Sequence, residues 1–128
     1  MTHLAFDFGT SHIGIAVAEY RWGIAAGIAT ISAKRGIPDW KALEDIMKKW
    51  QPEGLIVGLP LNMDDSESDM SNAARLFGKR LRERYQTNVE FIDERLSTFE
   101  ARHRGAKRGS DHELAAQIIA ETWLNSGD

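Results

Sequence analysis

Apolar and polar positions divide this chain into short strands first and longer helices later. Residues 3–8 and 12–18 read as two apolar strands around a Gly-Thr-Ser turn, and residues 23–32 as a third. Their short connections favour antiparallel pairing. Pro38 suits a first helical position, and Trp40, Leu43, Ile46, Met47 and Trp50 then recur at helical spacing. Residues 54–59, Gly-Leu-Ile-Val-Gly-Leu, form an apolar run between Pro52 and Pro60 and read as a buried strand. Met70, Ala73, Ala74, Phe77 and Leu81 mark a second amphipathic helix reaching about Tyr85, and residues 89–92 a fifth, short strand. Ser97-Thr98-Phe99-Glu100 and Ser110-Asp111-His112-Glu113 are capping-box patterns that open two more helices. The last of these carries Leu114, Ala115, Ile118, Ile119, Thr122 and Trp123 on one face. The predicted order is β-β-β-α-β-α-β-α-α. Antiparallel strands followed by βαβ units imply an α/β fold with a five-stranded mixed sheet and helices on both faces.

Composition narrows the class. The 128 residues fit one domain spanning 1–128, and 42% hydrophobic with 27% charged residues is a globular balance. The chain has no cysteine, so disulfides, thiolate zinc sites and cysteine nucleophiles are excluded. No basic leader or membrane-length apolar run is present, and a cytoplasmic protein is expected. The net charge of −3 hides a basic segment: Arg95, Arg102, His103, Arg104, Lys107 and Arg108 are opposed only by Glu100. Such a stripe on an acidic protein can contact phosphates. A second cluster, Lys79, Arg80, Arg82 and Arg84, reads as a solvated helix face.

The candidate chemistry lies at element ends. Asp7 closes the first strand, Asp93 and Glu94 close the fifth, and Asp111 opens the last helix. An acid inside an apolar strand is costly to bury without a partner, and carboxylate oxygens suit Mg²⁺ or Mn²⁺. Two-metal nucleases need several carboxylates converging on ions about 3.5–4 Å apart. Simpler readings stand beside this one. Asp7 sits where turn acids are common, Asp111 complements a helix dipole, and Asp93-Glu94-Arg95 could be a turn salt bridge. Neighbouring strand residues face opposite sides, so only one of Asp93 and Glu94 can point into a given site.

Three motifs carry a family resemblance. They are Asp7-Phe8-Gly9-Thr10 with Ile13-Gly14-Ile15-Ala16-Val17, then Gly58-Leu59-Pro60-Leu61-Asn62-Met63-Asp64, then Asp93-Glu94-Arg95-Leu96-Ser97-Thr98 with Glu100-Ala101. Together they resemble the YqgF family, bacterial pre-16S rRNA nucleases that are also called Holliday-junction-resolvase-like proteins. The resemblance runs from about residue 4 to residue 124. It implies an RNase H-like fold and phosphodiester hydrolysis dependent on Mg²⁺ or Mn²⁺, with trimming of the 16S rRNA precursor at its 5′ end. It places catalytic and metal-holding roles on Asp7, Glu94 and Asp111. Two departures from the family pattern stand out: Asp65 occupies a position usually held by glycine, and the segment between Ala101 and Asp111 is short.

Around these acids, Thr10 and the amides near Gly9 are candidates for cradling the scissile phosphate. Arg95, Lys107 and Arg108 are candidates for holding flanking phosphates, and Asn62 either orients the strand or a metal-bound water, or is a polar loop residue. The expected partner is RNA, either pre-16S rRNA or a ribosomal precursor particle, met by a monomer or weak homodimer. Three other readings compete: a resolvase acting on branched DNA, an actin-like or sugar-kinase ATPase lobe, and a non-catalytic nucleic-acid-binding module. The ATPase reading ranks low because such enzymes need two lobes.

Overall fold

A computed structural model describes residues 2–94 and 111–126. One six-stranded sheet organises the chain: β1 (Thr2–Asp7), β2 (His12–Glu19), β3 (Ile24–Lys34), β4 (Ile37–Pro38), β5 (Gly54–Leu59) and β6 (Asn88–Asp93), in the spatial order β4-β3-β2-β1-β5-β6. β1 to β4 pair antiparallel in sequence, and β5 and β6 run parallel to β1. The helices are α1 (Trp40–Trp50), α2 (Asp69–Tyr85) and α3 (Asp111–Ser126). This is the expected mixed α/β sheet with one strand more than the five expected. The helix start expected at Ser97 lies outside the described residues.

The extra strand corrects the reading of Pro38. It closes a hairpin in which Lys34 pairs with Ile37 and Ala33 with Pro38. The two connecting residues, Arg35 and Gly36, have φ of 53° and 81°. Two positive φ values are what a tight type I′ hairpin turn requires. Proline is tolerated there because β4 is the sheet edge and needs no N–H on its outer side. Helix α1 is capped one residue later, where Asp39 accepts from the Ala42 amide at 3.3 Å.

Strand alternation builds two cores. Leu4, Phe6, Ile13, Ile15, Leu55 and Val57 face α1 and α2 and pack with Leu43, Phe77 and Leu81. Ala5, Ala16, Ala18 and Ile56 face α3 and meet Ala116, Ile119 and Ala120. The α3 side is lined by small residues, so the helix lies close to the sheet. A β-bulge at Ile28 keeps this arrangement along β3: the register passes from Ile15–Ala29 to Ala16–Gly27. Gly27 and Thr30 therefore both meet α3.

Two helix faces differ from expectation. On α2 the buried position is Ser71, not Met70, which is 38% exposed. Ser71 is the inner half of a capping box: its N–H donates to Ser68 Oγ at 2.9 Å, and the Ser68 N–H donates to Ser71 Oγ at 2.7 Å. On α3 the buried face widens to include Ala116 and Ala120, while Thr122 is exposed and its hydroxyl donates to the Ile118 carbonyl.

Candidate active site

Asp7 ends β1 on the α3 side of the sheet. Two residues earlier Ala5 packs in the α3 core, and two before that the His3 ring lies 4.4 Å from Trp123 of α3. Alternation carries Asp7 to the same face. On β6 the Trp123 indole N–H donates to Glu90, and Ile92 packs against the α3 core. Glu94 continues that parity, while Asp93 lies on the opposite side and is exposed. Glu94 is the acid that shares a face with Asp7.

Gly58 makes room for Glu94 on this face. In the β1–β5 ladder Phe6 faces Val57, so Asp7 and Gly58 lie level one step beyond. A Cβ on Gly58 would collide with Glu94 Cγ and come within 2.6 Å of Ile119 Cδ1. The Glu94 side chain therefore lies across the space that Gly58 leaves open and is only 9% exposed. Its backbone is fixed by an N–H donated to the Leu59 carbonyl at 3.1 Å.

The start of α3 reaches the same place. Asp7 pairs with Gly14 across the β1–β2 ladder. A Cβ on Gly14 would run into the His112 carbonyl, with His112 C at 2.5 Å and the Glu113 amide nitrogen at 3.2 Å. The helix start thus presses on the strand directly beside Asp7. The His12 and His112 rings stack there at 5.2 Å and 24°. The backbone of Asp111 opens this helix, but its side chain lies outside the described residues, as do Arg95, Lys107 and Arg108.

The remaining expected site residues stand at the same end of the sheet with local roles. Thr10 is exposed, and its carbonyl accepts from the Gly36 amide at 3.0 Å. Gly9 is needed for the tightness of its turn, since a Cβ there would come within 2.5 Å of the His12 carbonyl. Asn62 works inside its own loop, donating to Ser66 Oγ at 3.0 Å and to the Glu67 carbonyl at 3.2 Å. Asp65 takes φ of 71°, a left-handed conformation natural to glycine and tolerated by Asp. Its N–H donates to the Asn62 carbonyl, so the loop closes without the glycine. Ser66 donations hold the Asp64 carboxyl below its usual pKa, and the Arg75 partner does the same for Glu67.

Asp7 and Glu94 are hard oxygen donors suited to a divalent cation. Among the described residues no group of three acid, His or Cys side chains could hold a metal ion. The described pair fits two ligands of such a site, with the α3 start beside it. The acids are legible in the sequence, and Gly14 reads there as a point of close backbone approach, whereas the role of Gly58 does not. A glycine inside an apolar strand does signal close approach, but not of what.

Comparisons with known proteins bear on the family and the fold. A family model described as RuvX: Holliday junction resolvase matches residues 1–126. The chain is 44% identical to a protein of Marinobacter nauticus named "Putative pre-16S rRNA nuclease", over 94% of this chain and 90% of that protein. A protein of the same name from Nitrosococcus oceani is 47% identical, over 94% and 84%. Among solved structures, T. thermophilus RuvC in complex with Holliday junction substrate superposes with a TM-score of 0.59 at 14% identity, covering 99% of this chain and 97% of RuvC. The fold is that of RuvC-like resolvases.

Proposed function

The chain belongs to the RuvX family, described as Holliday junction resolvases, and from that premise we propose that Asp7, Glu94 and Asp111 form the metal-holding centre of a nuclease acting on pre-16S rRNA. The protein is a nuclease, a hydrolase of phosphodiester bonds. The observation that supports the site assignment is that Asp7 and Glu94 share a face of the sheet, with the Glu94 side chain lying over Gly58, the β5 residue level with Asp7.

In this reading the two strand-end carboxylates and the acid at the α3 start hold one or two Mg²⁺ or Mn²⁺ ions. Bound there, such ions supply an activated water and stabilise the leaving oxygen. The protein's own work is positional. Strand ends and a helix start are rigid mounts for carboxylates, and the small-residue packing of α3 sets their separation. Arg95, Lys107 and Arg108 hold phosphates flanking the cleaved bond, and Thr10 borders the scissile one. No helix among the described residues is long and apolar enough to cross a membrane.

The test is a short single-stranded RNA with 16S-precursor 5′ sequence, incubated with Mg²⁺, with Mn²⁺ and with EDTA, beside the Asp7→Asn variant. The parent is expected to cut only with metal, and the variant at least about a hundredfold more slowly. Parent-level cutting by the variant refutes the assignment. The family description also favours a second substrate, branched DNA. A four-way junction assayed in parallel, with the oligomeric state measured, separates the two, because resolving a symmetric junction calls for a two-fold dimer.

A further inference from the structure

The β3–β4 hairpin projects from the same end of the sheet as the acids. Its tip, Lys34 and Arg35, carries two exposed cations, and among the described residues neither makes an ion pair or side-chain hydrogen bond. The tip is not a loose loop. The Ala33 N–H donates to the Ser11 carbonyl at 2.8 Å, and the Gly36 N–H donates to the Thr10 carbonyl at 3.0 Å. Phe8 packs beneath the turn, its ring 3.0 Å from where a Gly36 Cβ would stand. These contacts fasten the hairpin to residues 8–11, the segment that leaves Asp7. An open groove of about 800 Å³ runs along the hairpin past Ser32, Lys34, Arg35 and Pro38. The one acid lining it, Asp39, is engaged as the α1 cap.

The ladder fixes the distance to the acids. Asp7, Gly14 and Thr30 lie in one row across β1, β2 and β3. Two strand spacings and four residues of rise put Lys34 roughly 15–20 Å from Asp7. That is several phosphates along a nucleic-acid strand. We propose that Lys34 and Arg35, presented by the β3–β4 hairpin beside the Asp7 loop, form a second contact for the phosphodiester backbone several nucleotides from the cleaved bond. The proposal extends the nuclease reading and makes the hairpin an affinity determinant that neither base sequence nor the metal centre supplies.

The test compares the parent with a Lys34→Gln/Arg35→Asn double variant. Asn tolerates the positive φ at position 35, and thermal unfolding checks that the fold is kept. Binding is measured by fluorescence anisotropy with EDTA, on a labelled single-stranded RNA of about 12 nucleotides, on one of three nucleotides, and on a four-way DNA junction, each across a salt series. Losing two phosphate contacts lowers the salt slope by about 1.4 on single-stranded RNA and about 1.8 on duplex arms, and weakens binding about tenfold near 0.15 M salt. The trinucleotide, too short to span from the acids to the tip, should bind parent and variant alike. A loss on the long RNA or the junction supports the proposal, and the arm affected names the nucleic acid. Unchanged affinity and slope on both overturn it. These readouts need no cleavage, so failure of the hairpin and failure of the Asp7→Asn test are separate results.

Discussion

Replacing Gly14 by alanine tests whether the α3 start belongs to the site. The new Cβ would lie 2.5 Å from the His112 carbonyl carbon and 3.2 Å from the Glu113 nitrogen, and closer still to the His112 oxygen. Carbon atoms in contact sit about 3.5–4.0 Å apart, so either β2 or the start of α3 must retreat by about 1 Å. Both are backbone, and no rotamer change relieves the clash. Overpacking of this kind costs about 1–3 kcal/mol, or roughly 3–15 °C in Tm for a domain of this length. The sharper consequence is catalytic. A 1 Å displacement of a catalytic group costs on the order of a hundredfold in rate, and α3 opens with Asp111. Urea unfolding and metal-dependent RNA cleavage should therefore both suffer. Ile46→Val is the control, since Ile46 packs on the opposite core beneath α1. It should lose about 0.5–1.5 kcal/mol with kcat held within twofold or so. If Gly14→Ala unfolds like the parent, α3 does not press on β2. If it loses stability but keeps parent kcat, the helix start carries no part of the site.

Gly58→Ala should leave the β5 ladder intact yet push the Glu94 side chain out of the gap beside Asp7; we expect kcat to fall by on the order of a hundredfold with a Tm change of only a few degrees, and unchanged kcat would remove Glu94 from the centre. His3 predicts a pH effect on stability. Burial against α3 holds its pKa below the ordinary value, despite the opposing pull of Glu90 and Glu53, so the unfolded chain takes up the proton first. Stability is then fully present above about pH 6.5 and declines as pH falls through the folded-state pKa. Denaturation midpoints for the parent and His3→Phe should diverge below that pH, with the variant showing the flatter profile; parallel profiles would dismiss His3 as the source.

Periodicity made most of the fold legible because each buried element repeats its pattern over several residues. The apolar run 54–59 coincides with β5, since both faces of that strand are covered and no polar position blurs its ends. β4 escaped for the opposite reason: two residues, one of them proline, carry no period, and only the Arg35-Gly36 turn geometry makes them a strand. Met70 looked inward by hydropathy, but the helix begins by satisfying its own amides, and the capping serine takes the buried place. The candidate site divides in the same way. Acids at element ends can be read one by one, because a carboxylate beside apolar residues stands out. Choosing Glu94 over Asp93 needs the register of β6 against β5 and the side on which α3 lies. Separation is set by what is missing: no side chain at Gly58, none at Gly14, and alanines under α3. Absent atoms leave no hydropathy signal. The geometry of this centre therefore rests on glycines and alanines whose work hydropathy does not show, and substitutions there should disturb the chemistry while leaving every carboxylate in place.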